Sequence, residues 1–217
     1  MPSVRLCATA LSAGALFLTA ATAVAGPVHA ADTAGSDPVA LSMAAGDLAD
    51  GSFETPVVPY PVTFTEPVAG ETIGPWTVGG DSVNLNSDRQ WDAADGYQSL
   101  DLNGVEPGSV SQTITTLPLT SYVVTYWLAG NPDYGPVLKT GALRVNGATV
   151  QNFSFDITNR SRRDMGYVRR TAVFTTLLGT SVTLTFAGTS PGAAGPVIDD
   201  VRVRSCLLVI CPHKAKR

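Results

Sequence analysis

The chain has 217 residues, of which 44 % are hydrophobic, and its 14 basic against 18 acidic side chains give a formal net charge of −4. A mildly acidic chain lacks the basic footprint that nucleic-acid binding requires. Its only histidines, His29 and His213, lie near the two ends, which argues against histidine-based catalysis and histidine-ligated zinc.

The first thirty residues have the three parts of a secretory signal peptide. Arg5 is the only charge, an apolar run covers residues 6–25, and the small-residue pattern Val28-His29-Ala30 follows. A glycine and a proline interrupt the run, which argues against a membrane span. We predict a signal peptide at residues 1–30, cleaved after Ala30 or alternatively after Ala25. The protein is then secreted, with the extracellular space and the cell wall as its expected locations.

The segments on either side of the main domain differ from it in composition. Residues 31–47 are rich in Asp, Ser, Gly and Ala without hydrophobic periodicity, so we interpret them as a disordered leader. Residues 205–217 form a short basic tail whose apolar part is too short to span a bilayer. Once the signal is removed, Cys206 and Cys211 are the remaining cysteines, and we expect them to form a disulfide.

Residues 48–204 alternate apolar and polar side chains with a period of two and show no helical stripe. Turn signals such as Asn146-Gly147 separate the apolar runs. About ten short strands at this spacing predict an all-β domain, a two-sheet antiparallel β-sandwich or jelly roll, although a closed barrel gives a similar pattern. The predicted strands are 62–65, 76–78, 83–85, 97–102, 110–115, 122–128, 143–145, 150–155, 167–175, 181–186 and 197–203.

Several segments resemble the choice-of-anchor C family. They are the opening Asp50-Gly51-Ser52-Phe53-Glu54, the run from Gln90 to Gly104, Leu128–Pro132, Asp164–Tyr167 and the closing Gly195–Val201. The resemblance implies a galactose-binding-like β-sandwich related to plant cell-wall domains of unknown function, associated with cell-wall polysaccharide. Tyr167 stands where the family pattern has tryptophan, and neither a sortase-type signal nor a membrane span is apparent.

Two aromatic segments are candidates for ligand binding. Arg89, Trp91 and Asp92 form a polar loop around an aromatic ring, a combination that stacks on the apolar face of a sugar and bonds its hydroxyls. Alternation along the next aromatic strand places Trp127 opposite Tyr126, and Asn131 and Tyr134 follow in a loop. Core packing is the alternative for both tryptophans, whereas Trp76 is assigned to the core.

Asp199 alternates in phase with Val197, Val201 and Val203, which predicts a buried carboxylate. In similar sandwich modules the acids of the first and last strands hold a structural calcium ion, so Glu54 and Asp199 are the candidate metal ligands. The alternative is that Asp199 caps loop N–H groups or meets an arginine.

The function expected from these residues is non-catalytic carbohydrate binding, with extracellular or cell-wall polysaccharide as partner and calcium as a candidate structural ion. The alternative is an extracellular protein–protein or surface-structural module without a sugar site. A glycoside hydrolase, which needs a pair of carboxyl groups, is a third and weaker option. We therefore expect no enzymatic activity, no nucleic-acid partner and no membrane span.

Overall fold

The computed structural model describes residues 46–206, which form twelve β-strands and no helix. Within this range, therefore, no helix is long and apolar enough to cross a membrane. The strands are β1 (Phe64–Thr65), β2 (Thr72–Ile73), β3 (Trp76–Gly80), β4 (Asn84–Ser87), β5 (Gln98–Asp101), β6 (Gly108–Thr115), β7 (Ser121–Gly130), β8 (Leu138–Val145), β9 (Ala148–Asp156), β10 (Val168–Thr175), β11 (Ser181–Gly188) and β12 (Pro196–Cys206).

Each segment predicted to be a strand overlaps an observed strand, and only β2 has no predicted counterpart. The signal peptide, most of the leader and the basic tail with Cys211 lie outside the described residues. The bridge between Cys206 and Cys211 therefore stays a prediction.

The strands form two antiparallel sheets of six strands each. The first sheet has the order β1-β4-β5-β12-β7-β10, and the second has the order β2-β3-β6-β11-β8-β9. Each sheet has two edge strands, so neither closes on itself as a barrel would. The prediction of a two-sheet antiparallel sandwich is confirmed.

The core lies between the two sheets and contains an aromatic cluster. Tyr126 on β7 packs edge-to-face on Phe186 of β11, with ring centroids 5.0 Å apart, and Trp76 of β3 lies 6.4 Å from the same ring. All three side chains are fully buried. Burying an aromatic side chain contributes on the order of 2 kcal/mol, so this cluster is a main link between the sheets. The assignment of Trp76 to the core is confirmed.

A β-bulge in β12 changes which side chains face the core. The pairing of β12 with β7 shifts between Asp199 and Arg202, and Asp200 has a φ of 46°. Val201 therefore points into the core, whereas Asp199 points out of the first sheet on the opposite face. The predicted common face of Asp199 and Val201 is wrong, because simple alternation does not continue through a bulge.

Two loops cover part of the outer face of the first sheet. They are the β4–β5 loop (residues 88–97) and the β9–β10 loop (residues 157–167). The backbone N–H of Asp92 donates to the Arg162 carbonyl at 3.0 Å, which joins the loops. The indole N–H of Trp91 donates to the Ser99 hydroxyl at 2.8 Å, which fastens the first loop to the sheet.

Candidate functional site

A groove of about 440 Å³ opens beside the β4–β5 loop, near the β1–β4 edge of the first sheet. Its floor comes from β4, and its walls come from β1, the β4–β5 loop, the β7–β8 loop (residues 131–137) and the β9–β10 loop. The groove is thus assembled from segments that are distant in the sequence.

Aromatic side chains line the groove and remain available to a ligand. The Tyr134 ring is 69 % exposed at the wall formed by the β7–β8 loop, and Phe64 of β1 is 39 % exposed. Trp91 also contributes to the lining, but it is only 1 % exposed because it packs beneath its own loop. The groove therefore presents two open aromatic surfaces and one aromatic edge.

Amide side chains form the floor of the groove. Asn84 and Asn86 flank Leu85 on β4, and because Leu85 enters the core, both amides point out of the sheet. Gln90 lines the groove beside them. The side-chain oxygen of Asn84 is buried and has no hydrogen-bond partner among the described residues. Unpaired buried polar atoms are uncommon, and this one lies beneath the surface of the groove.

An ion pair stiffens one side of the groove. Arg162 donates two hydrogen bonds to the carboxylate of Asp133, at 2.8 and 2.9 Å. These bonds and the charge of Asp133 raise the pKa of the Arg162 guanidinium. The amide N–H₂ of Gln90 approaches the same carboxylate at 3.5 Å. Three groups from three loops are thereby held together at the groove.

Behind the groove, a buried polar network fixes the β7–β8 loop. The carboxylate of Asp101 accepts bonds from the Asn131 side chain at 2.8 Å and from the Gly195 N–H at 3.0 Å. Burial raises the pKa of Asp101 to about 7, against the lowering effect of these donors. The ammonium group of Lys139, also buried, donates to the Tyr134 carbonyl at 2.5 Å and to the Ala194 carbonyl at 2.9 Å. Burial lowers the pKa of Lys139, and the charge of Asp101 opposes that shift.

Three of the six predicted ligand-binding residues, Trp91, Asn131 and Tyr134, line the groove together. The structure places the other three elsewhere.

Arg89 donates to the carbonyls of Val58 and Val62 and lies 5.9 Å from the centre of the Tyr60 ring. Asp92 forms an ion pair with Arg163 at 2.7 Å. Trp127 is half-buried on the outer face of the first sheet, opposite the core, which is one of the two positions that the sequence left open.

Glu54 and Asp199, the predicted calcium ligands, both bind backbone N–H groups of the segment 94–98. Asp199 accepts from Ala94 at 2.7 Å and from Asp95 at 2.9 Å, and Glu54 accepts from Tyr97 and Gln98 at 2.8 and 2.9 Å.

A calcium ion shared by these two acids stays a prediction. Amide hydrogens point at both oxygens of Asp199 and at one oxygen of Glu54, and these contacts would compete with an ion. The contacts of Asp199 correspond to the alternative in which it caps loop N–H groups. Burial raises the pKa of Asp199 to about 7, and the three donors, including Asp200 N–H, oppose that shift.

Sequence reasoning did not single out several residues of the groove, namely Asn84, Asn86, Glu66 and Arg162. The alternation of Asn84, Leu85 and Asn86 carried a usable signal, because two amides flanking a core leucine must share the outer face of a strand. Arg162 gave no such signal, since its position at the groove depends on how the β9–β10 loop folds across the sheet.

A larger cleft of about 500 Å³ lies at the other end of the sandwich, between the β8–β9 turn and the β10–β11 connection. Its lining is mainly aliphatic, and Leu177 and Leu178 are 73 % and 83 % exposed. It lacks the combination of exposed rings and amide groups found in the groove, so the groove is the stronger candidate site.

Comparison with protein families gives one match. The family described as "Protein of unknown function (DUF642)" matches residues 46–204, which include nearly all of the described sandwich. No curated protein matches the chain.

Solved structures with a similar backbone include three carbohydrate-binding modules. The family 35 module from Clostridium thermocellum is 13 % identical, with a TM-score of 0.44 over 64 % of this chain and 97 % of the module. A family 61 module in complex with β-1,4-galactotriose is 20 % identical, with a TM-score of 0.46 over 62 % and 90 %. A xylan-binding domain from Paenibacillus barcinonensis is 18 % identical, with a TM-score of 0.42 over 64 % and 97 %. This is a distant likeness and carries no information about the ligand of this chain.

Proposed function

The chain belongs to the DUF642 family of proteins of unknown function, and from this premise we propose that its sandwich is a non-catalytic carbohydrate-binding module with its binding site in the groove. One observation carries the proposal: exposed aromatic rings stand beside a floor of outward-pointing amide side chains. A sugar ring has an apolar face and a rim of hydroxyls, and this site offers a partner for each.

The aromatic wall supports stacking. Tyr134 exposes most of its ring while Lys139 holds the backbone carbonyl of the same residue in place. The ring is thus presented from a fixed point in the loop, which reduces the entropy lost on binding. Phe64 supplies a second apolar surface in the same groove.

The polar floor supports recognition of hydroxyl groups. An amide both donates and accepts hydrogen bonds, as a hydroxyl does, and Asn84, Asn86 and Gln90 supply three amides in the groove.

The acids of the groove support binding rather than hydrolysis. Asp133 is engaged by both nitrogens of Arg162, which leaves Glu66 as the lining acid outside this ion pair. Glycoside hydrolysis generally uses two carboxyl groups that flank the scissile bond, one of them as a proton donor. No histidine occurs between residues 46 and 206 to replace either group.

The proposed partner is an extracellular or cell-wall polysaccharide. This part of the proposal rests on the signal-peptide pattern of residues 1–30, which directs the chain out of the cytoplasm. A polysaccharide outside the cell offers many copies of one epitope, so the local concentration of ligand for the groove is high.

The test is a glycan array with neutral and acidic polysaccharides, followed by titration of the best ligand. Tyr134→Ala should weaken binding at least tenfold because it removes the exposed ring, at about 1.4 kcal/mol per factor of ten. Tyr97→Ala is the matched control, since Tyr97 is 70 % exposed but lies outside the groove.

Two results would overturn the proposal. One is a wild-type protein that binds no glycan on the array, which would favour the protein–protein or surface-structural alternative. The other is an equal loss of affinity in the Tyr134 and Tyr97 variants, which would place the ligand outside the groove.

A further inference from the structure

The outer face of the first sheet remains open at the edge opposite the groove, where β12, β7 and β10 lie side by side. Antiparallel register aligns Trp127 of β7 with Arg169 of β10, and Thr125 of β7 with Arg202 of β12. Arg204 lies two residues beyond Arg202 on the same face. We propose that this arginine face, formed by Trp127, Arg169, Arg202 and Arg204, is a second binding site that takes a carboxylate-bearing polysaccharide.

The guanidinium groups of this face are available to a ligand. Arg169 and Arg204 are exposed, and their side chains form no ion pair or hydrogen bond with any described residue. Arg202 is bonded through its Nε to Asp200 at 2.5 Å, and its side chain is still 51 % exposed. A guanidinium has five N–H donors, so this contact leaves the terminal nitrogens of Arg202 free for a carboxylate.

The clustering of positive charge on this face is unusual for a protein with a net negative charge. The chain carries a net charge of −4, yet three arginines occur on β10 and β12, the two strands that flank β7 on one sheet face, and only Arg202 of the three is in an ion pair. Strands lie about 4.8 Å apart, and alternate residues on a strand lie about 7 Å apart, so the guanidinium groups are within one short oligosaccharide of each other. Charge complementarity therefore favours an anionic occupant.

The residues between the arginines favour a polysaccharide over a nucleic acid. The half-buried Trp127 ring offers a stacking surface, and Thr125 and the exposed Thr171 on the neighbouring strand add hydroxyl groups. The spacing of the three arginines is comparable with the charge spacing of a polymer that carries one charge per sugar ring. Duplex DNA carries one charge per ~1.7 Å, which is far denser than the spacing of these three arginines.

This second site is independent of the groove. The groove lies at the β1–β4 edge of the first sheet, whereas the arginine face uses β12, β7 and the opposite edge strand β10. None of the arginines of the face lines the groove. Loss of either site should therefore leave the other intact.

The test is affinity electrophoresis of the full protein through gels that contain polygalacturonate or its fully methyl-esterified form. The two polymers share a backbone and differ in charge. We expect retardation by the acid form alone, weakening as salt is added. Arg169→Gln and Arg204→Gln should each weaken retardation several-fold, and the double variant should abolish it. Arg144→Gln is the matched control, because it removes one positive charge from the second sheet.

Other results of the same experiment would overturn the proposal. Equal retardation by both polymers, or an equal effect of the Arg144 and Arg169 variants, would overturn the proposal. Stronger retardation by DNA or dextran sulfate than by polygalacturonate would show a general polyanion surface and overturn the assignment to carboxylates. The Tyr134→Ala variant should still be retarded by polygalacturonate. Loss of binding in the groove can therefore be distinguished from loss of binding at the arginine face.

Discussion

Asp101 and Asp199 are fully buried carboxyl groups on the outer face of the first sheet, each satisfied mainly by N–H donors. Burial raises both pKa values from 3.8 to about 7. Between pH 3.8 and about pH 7, these two carboxyl groups are protonated in the folded protein but ionised in the unfolded chain. The contribution of these two groups to stability is therefore greatest below about pH 4, falls as the pH rises toward 7 and is then level.

The first prediction follows from this titration. In Asp199→Asn the fall in unfolding free energy between pH 4 and 7 should shrink by roughly half, because Asp101 alone still titrates in this range. Urea unfolding at a series of pH values measures the slope. Asp164→Asn, which removes an exposed carboxylate, should keep the wild-type slope. An unchanged slope in Asp199→Asn would show that this carboxyl is already ionised well below pH 7.

Among the structural elements, the β4–β5 loop depends on carboxylates from two distant parts of the chain. Asp199 of β12 binds its middle, and Glu54 of the opening segment binds its end. The Ser52 hydroxyl donates to Asp95 at 2.7 Å and adds a third contact. Because Trp91 of this loop lines the groove, the same contacts help to position the candidate site.

The second prediction separates this N–H clamp from a calcium site. Glu54→Ala should lower the free energy of unfolding by about 1–3 kcal/mol, because two charge-assisted hydrogen bonds are lost. Glu54→Gln should cost less, since one oxygen of Glu54 accepts both bonds and an amide oxygen can replace it. The melting temperature should not respond to a chelator or to added calcium. A calcium-dependent increase that Glu54→Gln abolishes would instead support the metal site.

At the scale of the whole molecule, one sheet carries both proposed binding surfaces. The groove and the arginine face lie at opposite edges of the first sheet, and the β4–β5 and β9–β10 loops cover the region between them. The second sheet contributes Trp76 and Phe186 to the aromatic cluster of the core, and neither proposed site lies on it. This division leaves one side of the sandwich for recognition and the other for stability.

The third prediction concerns the exported chain. Mass spectrometry of the culture medium should find a protein that begins at Ala31, because the small-residue pattern ends at Ala30. Thiol titration of that protein under denaturing conditions should detect no free cysteine, since an oxidising compartment favours the bridge between Cys206 and Cys211. A retained chain that begins at Met1 would contradict the proposed location.

The sequence by itself determined the fold class and most of the strands. Period-two alternation and turn residues act within a few positions of each other, so Val110–Thr115 and Tyr122–Leu128 could be identified as strands without knowledge of their neighbours. The same local rule placed Trp127 opposite Tyr126 but left open which of the two faces the core.

Only the tertiary structure decided the site. Tyr134, Asn84 and Arg162 meet because two loops and a strand converge at one edge of a sheet, and no local pattern specifies that convergence. The bulge at Asp200 likewise turned Asp199 away from the core, where amide hydrogens of a distant loop satisfy its charge. Alternation is set by backbone geometry between adjacent residues, whereas the partner of a buried carboxylate is set by which segments pack against it.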